Sequence, residues 1–170
     1  MFKKFKPTVD NLQDDIAEVG VYRGDSARQL AETFPNKTIH LFDTFSGMPK
    51  SDPSIDSHKE GDFADTSLAL VQEKLKEYKN IKYWPGFFPT TVLFLGFLKF
   101  AFVNIDVDLY RSAKDCLDFF WPRLVKGGIF FLKDDYGFTR CQGVTKVINE
   151  FILDKTLTLH RNGSEAWIIK

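Results

Sequence analysis

A chain of 170 residues fits one domain, long enough to bury roughly 70% of the surface its unfolded form exposes. Lysine plus arginine equals aspartate plus glutamate at 23 each, and the zero formal charge argues against a dedicated nucleic-acid binder, which carries a basic bias. No apolar stretch reaches the ~18 residues of a membrane span, and the positive start Met1-Phe-Lys-Lys-Phe-Lys-Pro has no apolar core behind it. With only two thiols, Cys116 and Cys141, in no metal-binding pattern, a cytoplasmic protein with reduced cysteines is expected.

Strand and helix signals alternate along the chain. Ile16-Ala-Glu-Val-Gly-Val reads as a first strand, followed by a glycine loop and a helix over 26–33. Thr38-Ile-His-Leu-Phe-Asp is a second strand, with His40 inside it as a structural residue. The polar segment 44–66 is a long loop, of the kind that is usually functional or disordered. Within it, His58 reads as a solvated histidine, with contact to a substrate or a role as base as the alternative. Asp65-Thr-Ser then offers N-caps for a helix reaching residue 78, with Leu68, Val71 and Leu75 on its buried face.

Ile81-Lys-Tyr-Trp is a third strand, and residues 90–98 a short helix. A fourth strand ends in Asp106; an amphipathic helix follows over 112–124, with Pro122 disturbing its last turn. Gly127-Gly128 turns into a fifth strand ending at Asp134 and Asp135. Residues 143–154 are helical, and Asn162-Gly163 splits a terminal hairpin. Five βα-type units and an antiparallel end make one doubly wound, Rossmann-like α/β domain over 1–170.

Asp106 with Asp108, and Asp134 with Asp135, each close an apolar run that reads as a buried parallel strand. Ligands collect at the carboxyl ends of such strands, and four converging carboxylates call for a counter-charge, most simply a divalent cation with oxygen ligands. The alternative is that these acids bind water or cap helices. The glycine spacing of Glu18-Val-Gly-Val-Tyr-Arg-Gly-Asp-Ser is not the dinucleotide fingerprint, which disfavours an NAD enzyme. Gly20 and Gly24 let a ligand approach the backbone, Glu18 suits a cationic portion, and Asp43 stands where an acid accepts ribose hydroxyls. A ribose-bearing, partly cationic ligand describes S-adenosylmethionine.

Six ordered motifs carry a resemblance: Ala17-Glu-Val-Gly-Val-Tyr-Arg-Gly-Asp-Ser-Ala, Leu41-Phe-Asp-Thr-Phe-Ser-Gly-Met-Pro, Gly61-Asp-Phe-Ala-Asp-Thr-Ser, Gly86-Phe-Phe-Pro-Thr-Thr, Ile105-Asp-Val-Asp-Leu-Tyr and Asp134-Asp-Tyr-Gly. Over residues 14–151 the chain resembles the macrocin O-methyltransferase family. The resemblance implies a seven-stranded class I methyltransferase fold, a mostly parallel sheet with a C-terminal antiparallel hairpin. It also implies Mg²⁺-dependent methylation of a hydroxyl, often on a sugar of a natural product. Carried over by motif, Asp106, Asp134 and Asp135 match metal-binding acids, and Asp108 a general base. Glu18, Gly20, Tyr22, Gly24, Ser26, Asp43, Thr44 and Asp106 match cofactor-binding positions, with Asp62, Phe63 and Ser67 on the adenine side.

Family members carry a helical N-terminal extension that closes the site and contributes to dimerisation, whereas about fifteen residues precede the first strand here. A more open acceptor pocket is therefore expected, and a homodimer stays an open alternative. The expected partner is a small-molecule hydroxyl acceptor, a sugar first, with no nucleic acid and no membrane. A catechol-like diol acceptor and a non-catalytic S-adenosylmethionine-binding module are the competing readings.

Overall fold

The structure, a computed structural model, describes residues 1–92, 95–133 and 135–170. Seven strands form one sheet: β1 (Asp15–Val19), β2 (Ile39–Asp43), β3 (Ile81–Pro85), β4 (Phe100–Ile105), β5 (Leu124–Leu132), β6 (Leu159–Asn162) and β7 (Glu165–Ile169). Their order is β3-β2-β1-β4-β5-β7-β6, parallel through β5 and antiparallel at β7 and β6. The order reverses direction at β1 and β4, so the loops leaving those strands diverge and open a crevice between them.

Helices cover both faces: α1 (Lys6–Asp10), α2 (Asp25–Thr33) and α3 (Leu68–Lys74) on one, α4 (Tyr110–Phe120) and α5 (Gln142–Lys155) on the other. β4 is buried along its whole length because both of its faces are covered, which is why it reads as a continuous apolar run. Its phenylalanines serve different layers. Phe100 packs edge-on against Phe120 of α4, while Phe102 meets Phe2, Phe5 and Phe34 on the opposite face. His40 is structural: Trp84 Nε1–H donates to its Nδ1 at 3.1 Å, and Nε2 meets Asp15 Oδ2 at 2.9 Å. Burial lowers its pKa, opposed by Asp15.

Four expected elements differ in the structure. The described residues of 90–98 do not make an α-helix. Only Thr90–Val92 is a 3₁₀ turn, followed by three-residue turns at Leu95 and Leu98; Leu93 and Phe94 lie outside the described residues. Two adjacent β-branched threonines and Gly96 suit such turns better than a continuous helix. The helix expected to reach residue 78 stops at Lys74, capped at its start by Ser67, whose Oγ accepts from Leu70 N–H at 3.2 Å.

The helix expected over 112–124 begins two residues earlier. It gives way at Trp121 to a 3₁₀ turn containing Pro122, which cannot donate the helical hydrogen bond. Gly127-Gly128 is not a turn before the fifth strand but an irregular stretch inside it. Pairing with β4 jumps from Phe100↔Leu124 to Phe102↔Ile129, and Gly127 N–H donates to Lys170 O at 2.7 Å. Gly127 has φ +81°, and a Cβ on Gly128 would stand 2.8 Å from the Val125 carbonyl oxygen, so glycine is required by the backbone here.

Candidate active site

A cavity of about 280 Å³ opens at the carboxyl ends of β1, β2 and β4. Of the residues singled out in the sequence, Gly20, Tyr22, Asp43, Thr44, Phe63, Asp106 and Asp108 line it. Glu18, Gly24, Ser26, Asp62, Ser67 and Asp135 are not on its wall, and Asp134 lies outside the described residues.

The first wall is the loop after β1. Gly20 has φ +85°, and a Cβ there would stand 1.8 Å from the backbone oxygen of Asp106, so the two loops touch main chain to main chain. Gly24, at φ +77°, starts α2 against Val71. Asp43 closes β2, and its carboxylate serves its own chain. Oδ2 accepts from Val21 N–H at 2.6 Å and Tyr22 N–H at 2.9 Å, while Oδ1 accepts from Phe45 N–H at 2.6 Å. Tyr22 and Phe45 both have positive φ, a conformation unfavourable for bulky residues that these charged hydrogen bonds hold in place. Asp43 thus ties the loops of β1 and β2 together.

Thr44 Oγ1 donates to Gly47 O at 2.6 Å, turning the chain into the long loop. Phe63 packs edge-on against Tyr22, whose hydroxyl donates to Asp65 at 2.7 Å; Thr66 donates to the Tyr22 carbonyl. Thr66, rather than Ser67, therefore reaches the cavity, because Ser67 is occupied as the cap of α3.

Beneath this wall Glu18 is wholly buried. Asn104 Nδ2 donates to its Oε1 at 2.7 Å, while Oε2 has no hydrogen-bond partner of acceptable geometry, although Ser26 is near enough to favour the charged form. Desolvation dominates and raises its pKa from 4.5 to about 8. The folded chain then keeps a proton that the unfolded chain has released. Stability therefore falls as pH rises between about 4.5 and 8, by at most ~1.4 kcal/mol per pH unit for this one group. Glu18→Gln is expected to remove that contribution: urea midpoints of mutant and wild type will diverge from pH 5.5 to pH 8 in the mutant's favour. Parallel midpoints would refute the assignment.

The acids form the second wall. Lys133 Nζ donates to Asp106 Oδ2 at 3.0 Å. Asp108 sits at φ +59°, and Asp135, buried behind it, accepts from Val107 N–H at 2.9 Å and Asp108 N–H at 3.1 Å through Oδ2. Burial, with Asp106 and Asp108 nearby, pushes Asp135 well above the usual carboxylate range. Lys133 was not singled out in the sequence, although a lysine ending a buried strand directly before an acid pair was the available signal.

His58 is not solvated: it is 4% exposed, its Nδ1 lies 3.3 Å from Asp62 Oδ2, and its ring packs on Phe63. The loop carrying it folds inward, closed by Met48 N–H to Asp62 O at 2.8 Å and Gly61 N–H to Met48 O at 3.0 Å. Cys141 is buried, and its Sγ donates to Asp108 Oδ1 at 3.1 Å. Tyr110 and Tyr136 turn away from the cavity toward α5, donating to Glu150 at 3.0 Å and Asn149 at 2.7 Å. Phe87 and Phe88 line the cavity, whereas Trp84 packs on His40 and Phe42.

Comparison with known proteins places these features in a family. Mycinamicin III 3''-O-methyltransferase of Micromonospora griseorubida is 29% identical over 91% of this chain and 68% of its own length. Demethyldecarbamoylnovobiocin O-methyltransferase of Streptomyces niveus is 25% identical over 91% of this chain and 66% of its own. The chain thus spans about two thirds of the length of these curated relatives. The O-methyltransferase NovP shares the fold with a TM-score of 0.82 at 21% identity, over 99% of this chain and 78% of that one. Calicheamicin methyltransferase CalS11 does so with 0.83 at 20%, over 99% and 76%. The macrocin O-methyltransferase model matches residues 6–160, and the chain belongs to that family of S-adenosylmethionine-dependent enzymes.

Proposed function

We propose that this chain transfers the methyl group of S-adenosylmethionine to a hydroxyl of a sugar or glycosylated small molecule, with Mg²⁺ held by the acids of β4 and β5. The observation that carries the reading is the meeting of the Gly20 loop and the Asp106–Asp108 tip in one cavity, at backbone contact. Donor and acceptor sites then adjoin, which in-line transfer requires. A further relative, 28% identical over 78% of this chain and 57% of its own length, is named 8-demethyl-8-(2,3-dimethoxy-alpha-L-rhamnosyl)-tetracenomycin-C 4'-O-methyltransferase, of Streptomyces olivaceus, and its rhamnosyl substrate supports the acceptor class.

The acid cluster fits a magnesium ion. Its donors are carboxylate oxygens, and Asp135, raised first by burial and then by the charges of Asp106 and Asp108, stands among like charges that a cation would relieve. Asp106 and Asp135 would hold it together with Asp134, which directly precedes Asp135 in sequence. A bound Mg²⁺ would supply acidity to the acceptor hydroxyl and charge compensation for its oxygen. Asp108 takes the hydroxyl proton as the oxygen attacks the methyl carbon. S-adenosylmethionine would supply the methyl group and leave as the neutral thioether, and Asp108 passes the proton to solvent. Tyr22, Phe63 and Phe88 present apolar surface to the cavity, excluding water from the transfer.

Titration of S-adenosylhomocysteine by calorimetry, followed by an acceptor screen with and without a chelator, tests the proposal. One-to-one binding and chelator-sensitive methylation of a glycoside are expected. Undetectable cofactor binding would refute the donor assignment, and undiminished turnover in chelator would refute the metal. Preferred methylation of a catechol would overturn the acceptor class.

A further inference from the structure

Beside the acids lies a second group of donors of different chemistry. His58 Nε2, Asp108 Oδ1 and Cys141 Sγ all lie within 4.8 Å of one another. Two of the separations are 3.8 Å, from the imidazole to the carboxylate, and 3.1 Å, from the thiol to the carboxylate. Ligand atoms around a tetrahedral zinc stand roughly 3.3–3.8 Å apart, given its bond lengths. The triangle is therefore close to the size a metal would impose.

The orientation of His58 adds an independent observation. Asp62 Oδ2 lies 3.3 Å from Nδ1 and is itself fixed by Lys59 N–H at 3.0 Å; Arg140 reaches Nδ1 only at 3.5 Å. In the tautomer whose Nδ1–H donates to Asp62 Oδ2, the nearer of its two partners, the lone pair stands on Nε2. That nitrogen is buried, has no hydrogen-bond partner among the described residues, and faces the Asp108 carboxylate. A lone pair aimed at a carboxylate repels it unless a proton on Nε2 or a metal cation stands between them. A carboxylate behind the ring is also the usual outer support of a metal-binding histidine. Cys141 immediately precedes the fourteen-residue helix α5; burial and the neighbouring Asp108 carboxylate hold its thiol protonated in the absence of a metal, so a cation must displace that proton.

We infer that His58, Asp108 and Cys141 form a site for a zinc-class divalent cation, distinct in donor chemistry from the all-oxygen acid cluster. A nitrogen, an oxygen and a sulfur ligand suit late first-row metals and not magnesium. Three protein ligands leave a fourth position open, on the side where Asp108 lines the cavity. On binding, Cys141 forms the sulfur–metal bond and its proton leaves to solvent. Because Asp108 belongs to both arrangements, occupancy of this site withdraws it from proton transfer. The assignment itself does not depend on the methyltransferase reading.

The test is titration of Co²⁺ into the full metal-stripped chain with Mg²⁺ in excess, followed by absorbance. A thiolate-to-cobalt charge-transfer band and intense tetrahedral d–d bands at one equivalent are expected. Cys141→Ser should lose the charge-transfer band, and Asp62→Asn should keep it while weakening cobalt affinity by ~10–100-fold. His58→Gln serves as a second ligand variant, and thermal melting establishes that each variant is folded. A wild type without the charge-transfer band, a band that persists in Cys141→Ser, or cobalt affinity unchanged in both His58→Gln and Asp62→Asn would overturn the site. Methyl transfer is not read, so these failures would leave the proposed reaction standing.

Discussion

Asp108→Asn is expected to lower turnover by ~10²–10⁴-fold, the range of a general base, while leaving S-adenosylhomocysteine affinity near the wild-type value. Asparagine is the informative replacement because Asp108 occupies φ +59°, a region that Asn tolerates nearly as well as Asp. The amide retains an oxygen for the Cys141 thiol and keeps the backbone N–H that Asp135 accepts, so the fold around it has little reason to change. What it loses is the capacity to hold the departing proton. Single-turnover methyl transfer beside calorimetry separates the two effects. Activity retained in this variant would remove Asp108 as the base; joint loss of activity and cofactor affinity would make it a positioning residue.

Asp43→Asn should be nearly as damaging, at a different step. The carboxylate accepts backbone N–H groups on both oxygens, from Val21 and Tyr22 on one and Phe45 on the other. An amide has a single acceptor oxygen, so its NH₂ group would face at least one N–H donor. Hydrogen bonds to charged groups contribute ~1.5–3 kcal/mol each, and losing one or two would release Tyr22 and Phe45 from their left-handed conformations. Both residues lie in the loops that frame the donor side, so cofactor affinity should fall by a hundredfold or more, on the order of 3 kcal/mol. Calorimetry and a urea midpoint on the same preparation check this; wild-type affinity would show that the loops hold without the tie.

The strands and their acid tips were legible because the physics there is local. Phe100 to Ile105 is apolar throughout since both faces are covered, and a parallel sheet gathers its strand ends at one edge whatever the loops do. The placement of His58 was not legible, since no periodicity marks a residue in a long polar loop. Its burial depends on Asp62, Phe63 and the distant Arg140, which meet it only in the folded chain. The same holds for Gly127-Gly128: the pair looks like a turn until Lys170 is found beside it. Asp43 was placed correctly at the end of β2, on the cavity wall; its three backbone N–H partners were not legible, because loop conformation rather than composition brings them to it.

The contact between Gly20 and the Asp106 carbonyl has a thermodynamic corollary. With no side chain interposed, there is no soft material to absorb a displacement, so a movement on the donor side reaches the acid tip as a shift of main chain. For the proposed donor and cation, occupancy of the two sides would then be coupled, and linkage makes such coupling reciprocal. Whatever factor the nucleoside contributes to cation affinity, the cation returns to the nucleoside.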